Sequence, residues 1–262
     1  MVLQEKNGLK FYQFEHFQDQ KLFHAILTRH GGHSVKPYDS LNTGGTVGDD
    51  RDAVLNNHYR IYETLNYDFH SRFDVWQVHG EKVICADSPR PPEMLHEKAD
   101  GILTDNPDIT LFMRFADCVP ILLFDPIKTV IGIIHAGWQG TAKHISRAAV
   151  EKMFACYGTN PQDILAGIGP SICKQCYQVG EAVRIAFEKS FGATTNRFLT
   201  ETSDGLYLDL WEANKEILKN AGVNQIEVSE ICTSCNTDDW YSHRAENGKT
   251  GRFGVLMTIE NQ

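Results

Sequence analysis

Residues 120–140, PILLFDPIKTVIGIIHAGWQG, decide the fold. Two apolar runs, PILLF (120–124) and VIGII (130–134), are short enough to be buried strands. HAGWQG (135–140) then leaves the second strand and leads toward a helix. A histidine, a tryptophan and two glycines at the end of a buried strand are unusual. Glycine beside a histidine lets a ligand or a neighbouring backbone approach closely.

Working outward, further strand patterns fall at LFHAILT (22–28), FDVWQV (73–78), KVICA (82–86), ITLFMRF (109–115), ILAGI (164–168), IEVSEI (226–231) and GVLMTI (254–259). Helical spacing unites Val54, His58, Ile61 and Leu65, with Asp49 or Asp50 as the cap. It also unites Ile145, Ala149, Met153 and Cys156, then Val183 and Phe187, then Leu210, Ala213, Ile217 and Ala221 ahead of a stop at Gly222. Strands mixed with helices predict an α/β (α+β layered) domain. No repeat or linker interrupts the chain, so one domain over 1–262 is expected. SPRPPEMLHEKAD (88–100) reads as a surface loop.

Of the 262 residues, 42% are hydrophobic and 23% charged, and the formal net charge is −9. An acidic chain is a poor partner for nucleic acid or an anionic membrane. No apolar run nears the roughly 18 residues that span a bilayer. The opening MVLQEKNGLKFYQF does not read as a signal peptide. Seven cysteines, an odd number, suit reduced thiols in a cytoplasm better than a disulfide framework. A cytoplasmic monomer is the expectation.

Three short motifs place a metal-capable side chain at a strand edge: WQVHG (76–80), ADCVP (116–120) and HAGWQG (135–140). His79, Cys118 and His135 form a three-ligand set that suits Zn²⁺ and leaves a fourth position open, the catalytic pattern. Copper is the alternative ion for such donors. The same residues also make a cysteine nucleophile, with Cys118 activated by an imidazole. CKQC (173–176) and CTSC (232–235) are separated by 55 residues, well beyond the spacing of a zinc ribbon, and read as incidental thiols. RHGGHSVKPYDSLNTGG (29–45) is expected to be a long loop. Arg244, in WYSHRAENGKTGR (240–252), offers a planar fork of donors for an anion. His30, His33, His144 and His243 read as surface or capping residues.

SLNTGGTVGDD, WQVHG, ADGILT, ADCVPILL, HAGWQGT, GPSICKQCYQVG and CTSCNTDDWYSHR…TGR occur in the order in which the YfiH/YlmD-like family carries them. Over about residues 22–259 the chain resembles that family. Its members are called laccase-domain or multicopper polyphenol oxidoreductase-type proteins, and also purine nucleoside phosphorylases. The resemblance implies a single domain with a central mixed, sandwich-like β core flanked by helices, similar to the catalytic domain of cytotoxic necrotizing factor. It implies zinc held by His79, Cys118 and His135. It also implies phosphorolysis of adenosine, inosine or guanosine, with adenosine deamination and methylthioadenosine phosphorolysis as side activities. Purine nucleoside and phosphate are then the small-molecule partners. Asp117 is the expected proton shuttle, and Arg29, Asn42, Gln77 and Arg244 the expected substrate-binding walls. Three rivals remain: a cysteine-type amide hydrolase, including one that edits peptidoglycan precursors; a copper-dependent polyphenol oxidase; and a non-enzymatic metal-binding or partner-binding domain. Paired His-X-His motifs of a multicopper oxidase are absent from the sequence. The chain departs from the family in SLNTGG and at Gln139, where arginine is usual. Loss of that arginine is expected to remove a cation beside His135.

Overall fold

The computed structural model describes residues 1–260, so residues 261 and 262 of the expected domain lie outside the described residues. The chain begins with strands β1 (Val2–Lys6), β2 (Leu9–Gln13) and β3 (Leu22–Leu27), then helix α1 (Arg51–Leu65). Six strands follow: β4 (Arg72–Phe73), β5 (Val83–Cys85), β6 (Gly101–Thr104), β7 (Thr110–Phe115), β8 (Val119–Asp125) and β9 (Val130–Ala136). Helices α2 (Trp138–Ala142) and α3 (Ile145–Tyr157) lead to β10 (Leu165–Ile168) and β11 (Gln178–Val179). Last come α4 (Glu181–Phe191), β12 (Leu199–Thr202), β13 (Gly205–Leu208), α5 (Leu210–Asn220), β14 (Gln225–Val228) and β15 (Phe253–Ile259).

Two six-stranded sheets form the centre, with strand orders β1-β2-β3-β15-β7-β4 and β14-β10-β8-β9-β6-β5. β11, β13 and β12 make a small third sheet. Strand alternation assigns each side chain to a layer. Leu122, Phe124, Ile131 and Ile133 of the second sheet meet Leu111, Met113, Phe115, Val255 and Met257 of the first in one core. The opposite faces of β8 and β9, with Ile121, Leu123, Val130 and Ile134, bury against Ala149, Met153, Phe187 and Ala213 of α3, α4 and α5. α1 covers the outer face of the first sheet, where Ile61, Tyr62 and Leu65 meet Leu27, Phe112 and Leu256. Coverage on both faces explains why PILLF and VIGII are continuous apolar runs rather than alternating ones.

The expected helices are present. Asp50, not Asp49, caps α1, its side chain accepting from the Ala53 N–H at 2.8 Å. Asp209 caps α5 in the same way. The expected strand at 73–78 shrinks to β4 and an isolated bridge between Trp76 and Lys98. Its alternation is broken by Asp74, buried against Arg90 at 2.8 Å and Arg114 at 2.9 Å. Burial pushes the Asp74 carboxyl up, but the His96 hydrogen bond and the charges of Arg114 and Arg72 outweigh it and hold the carboxyl well below its ordinary range.

Two connections create the functional end. Residues 116–118 carry the chain directly from β7 in one sheet to β8 in the other. Residues 78–80 turn above the neighbouring edge.

Candidate metal centre and its cavity

His135 is a member of the inter-sheet core face. Counting by twos from Ile131 and Ile133 reaches it at the end of β9, where it leaves the apolar layer. Its ring sits 5.4 Å from that of Phe115 and 4.8 Å from that of His79. Cys118 starts from the sheet-to-sheet corner, with Sγ 3.8 Å from His79 Nε2. His79 is exposed and lies in a turn with φ 58°, not at a strand end as expected. One ligand atom from each of His79, Cys118 and His135 falls within 4.8 Å of the others. The structure therefore brings together the residues singled out from three distant motifs.

Asp100 organises this triad, and the sequence reading passed over it although it lies in the quoted ADGILT. Its fully buried carboxylate accepts from the backbone N–H groups of Val78, His79 and Gly80 at 3.1, 3.0 and 2.7 Å. It also accepts from His135 Nδ1 at 2.8 Å. That bond assigns the proton to Nδ1 and leaves Nε2 as a lone-pair donor toward the other two ligands. The His135 N–H binds the Asp100 carbonyl at 2.7 Å.

Gly137 is required by space. A Cβ there would stand 2.9 Å from Cys118 Sγ and 3.0 Å from His79 Cδ2. The glycine after the histidine in HAGWQG thus keeps the ligand cluster closed. The donor set, the oriented imidazole and this cradle all fit one metal ion.

The electrostatics agree. Burial pushes the Cys118 thiol up, but the His135 and His79 rings outweigh it and bring it down to about 6. Burial disfavours the charged His135 ring, but the Cys118 sulfur and Asp100 overcome that and raise it to about 9. Without metal, the pair is a thiolate beside an imidazolium.

The triad opens into a cavity of about 610 Å³, within the range of small-molecule sites. Trp76, Trp138 and Tyr177 supply flat apolar walls; Arg114, Arg244 and Arg252 supply cations. Arg114 is paired with Asp74. The guanidinium of Arg244 stacks over Tyr177 at 5.1 Å and donates to the Gln178 carbonyl at 2.9 Å. Arg252 donates to the carbonyls of Thr250 and Gly251. Among the described residues, neither Arg244 nor Arg252 spends its charge on a carboxylate.

The remaining expected site residues divide. Gln77 lines the cavity and clamps Arg114 through both backbone groups, at 2.7 and 3.0 Å. Asp117, at φ 77°, also lines it. Both carboxylate oxygens of Asp117 are engaged, accepting from the Thr233 hydroxyl and the Arg244 N–H at 2.7 Å each. Arg29 and Asn42 do not wall the cavity, which corrects the expectation. Arg29 is turned into the 29–45 loop, bonding the Asp39 and Thr237 carbonyls and Glu246. Asn42 is fully buried and braces the rim from behind, its Oδ1 accepting from the Gly44 and Arg252 N–H groups at 2.8 Å. Gln139 is exposed on α2 and absent from the lining, so this position offers no direct contact to the cavity.

Comparison with known proteins meets this geometry. A family model described as multi-copper polyphenol oxidoreductase laccase matches residues 23–260. A Bacillus subtilis protein described as purine nucleoside phosphorylase YlmD is 38% identical over 245 residues, spanning 90% of this chain and 87% of that one. The Escherichia coli purine nucleoside phosphorylase YfiH is 32% identical over 234 residues, spanning 88% and 91%. The crystal structure of YlmD from Geobacillus stearothermophilus superposes with a TM-score of 0.92 at 35% identity, covering 98% of both chains. A sandwich that ends in a His–Cys–His cluster thus comes with family-level similarity along nearly its whole length, and the chain belongs to the YlmD/YfiH family of laccase-domain proteins.

Proposed function

We propose that the protein is a zinc-dependent purine nucleoside phosphorylase, converting adenosine, inosine or guanosine and phosphate to free base and ribose 1-phosphate. Adenosine deamination and methylthioadenosine phosphorolysis are its proposed side activities. Its partners are small molecules, and it works as a monomer in the cytoplasm with its thiols reduced. The observation that carries the reading is the cavity itself: a metal-ligand triad, aromatic walls and two guanidinium groups without carboxylate partners among the described residues, all facing one space. The relatives described as purine nucleoside phosphorylases support it.

His79, Cys118 and His135 would hold the ion. When bound, zinc supplies Lewis-acid polarisation of an oxygen at its open position. The chain's own residues do the rest. Trp76, Trp138 and Tyr177 offer faces on which a purine stacks. Arg244 and Arg252 attract phosphate. Asp117 fixes the Arg244 backbone beside Cys118 and is the candidate proton carrier.

The test is a nucleoside panel assayed with and without phosphate, with products identified. Phosphate-dependent appearance of ribose 1-phosphate is expected; base release indifferent to phosphate sinks the reading. Arg244→Gln is expected to raise the phosphate KM by roughly tenfold or more, the loss of a charge-assisted contact of about 1.5–3 kcal/mol. A nucleoside KM that rises instead would place Arg244 at the base or ribose.

One observation favours a second reading. The lowered Cys118 thiol beside two imidazoles, one oriented by Asp100, is also the equipment of a cysteine-type amide hydrolase. Rapid alkylation of Cys118 in zinc-loaded protein, with activity lost in step, would select it. A strong visible copper–thiolate band with phenol turnover would select the polyphenol oxidase.

A further inference from the structure

The two C-x-x-C motifs, read as incidental thiols, meet in space. β10 and β14 pair in parallel, Leu165 opposite Gln225 and Ile168 opposite Val228. The ladder continues past both strands. The Ser171 N–H donates to the Ile231 carbonyl at 3.2 Å, the Thr233 N–H to the Ser171 carbonyl at 3.1 Å, and Ser171 bridges Cys232. The ladder brings the two loops side by side, and beyond it Cys173 meets Cys232 and Cys176 meets Cys235, each pair 59 residues apart in the chain. A separation that looks too long for one site along the chain is short across a parallel ladder.

All four sulfurs lie within 4.8 Å of one another, and none is in a disulfide. Tetrahedral zinc at about 2.3 Å from each thiolate places the sulfurs about 3.8 Å apart, which matches this spread. An iron–sulfur cluster distributes its cysteines over several irons and needs a wider frame. The backbone is already turned toward the sulfurs. The Cys173 N–H points to Cys232 Sγ at 3.2 Å. The Cys176 N–H closes the turn between the first two cysteines by donating to the Cys173 carbonyl at 3.1 Å. A backbone donor aimed at sulfur is what a bound thiolate uses. Cys173 and Cys232 are buried and Cys235 is exposed, so an ion has a route in.

We infer that Cys173, Cys176, Cys232 and Cys235 form a second metal site, a four-thiolate centre for one zinc ion, distinct from the triad in the cavity. Its four protein ligands leave no open position, which makes it structural rather than catalytic. It staples two loops that carry the cavity wall. The Ile172 N–H holds the Asp117 carbonyl at 3.1 Å, and the Thr233 hydroxyl holds the Asp117 carboxylate. The Cys176 carbonyl accepts from Arg244 at 3.4 Å.

The experiment is metal counting by native mass spectrometry and elemental analysis on protein purified under reducing conditions. Two zinc ions per chain are expected. Cys176→Ser with Cys235→Ser should lose one, and His79→Ala should lose the other. A wild type with one ion that His79→Ala removes overturns the inference; one ion that survives His79→Ala and disappears in the double variant upholds it while counting against the triad. Iron at that stoichiometry overturns the zinc assignment. Alkylation mapping of the unaltered chain keeps the test decisive if the double variant fails to fold. Exposed Cys235 should resist iodoacetamide until a chelator is added. Prompt alkylation of Cys235 in the two-zinc protein, or a Cys176–Cys235 disulfide in the reduced preparation, defeats it.

Discussion

A single carboxylate, Asp100, shapes two of the three candidate ligands, fixing the His135 ring directly and the His79 turn through its backbone. Asp100→Asn keeps the size but sets an amide against groups that need an acceptor. Zinc affinity is expected to fall about 10- to 100-fold, as for other partners behind a metal-bound histidine, measured by competition with a chromophoric chelator. Unchanged affinity would show that the triad orients itself. The metal-free protein has its own signature. The Cys118 thiol, lowered to about 6, contributes stability that is complete above the ordinary thiol value of about 8.5 and is lost as pH falls through about 6. His135, raised to about 9, contributes stability that is complete below about 6.5 and is lost as pH rises through about 9. Alkylation of Cys118 in metal-free protein is therefore expected to show a midpoint near pH 6, and a midpoint near 8.5 would refute the ion pair. At this scale the triad was legible because family motifs mark its members. Asp100 was not, because its role depends on a turn folded over it from residues 78–80. Arg29 and Asn42 were misplaced because loop residues that build a rim and those that face a ligand are of the same polar type.

The elements were most legible where burial is complete. β8 and β9 carry apolar side chains on both faces, so no tertiary knowledge is needed to find them. β1 is partly exposed along its length and gives no such signal, and β4 is too short to alternate. The paired C-x-x-C motifs were illegible for a different reason: a parallel pairing between β10 and β14 cannot be inferred from spacing along the chain. Ile133 tests the inter-sheet layer. It is fully buried two residues before His135, so Ile133→Ala should destabilise the fold by about 2–5 kcal/mol, read from denaturant unfolding. A loss under about 1 kcal/mol would mean the two sheets close over the gap.

As a whole, the molecule sets a site with two guanidinium groups that pair with no carboxylate among the described residues inside an acidic chain of net charge −9. Fields from the surface are screened over about 8 Å at physiological salt, so the local cations govern what the cavity attracts. The layered architecture was legible in outline from mixed strands and helices, but the division of the strands into two facing sheets was not, since the first sheet joins strands from both ends of the chain with β4 and β7, which interleave along the chain with strands of the second.

The corner at 116–118 joins one sheet to the other, and its Cys118 faces a histidine anchored to the second sheet. An ion there acts as a clasp on the open end of the sandwich, and its occupancy becomes coupled to the breathing of that end. Whatever metal activity surrounds the protein then sets how often Phe115 and its neighbours meet water. Hydrogen exchange should record this as slower exchange of amides 115–119 on zinc loading, with the turn at 126–129, at the far end of the same hairpin, unchanged. Equal slowing at both ends would mean the ion stiffens the entire sandwich rather than fastening one edge.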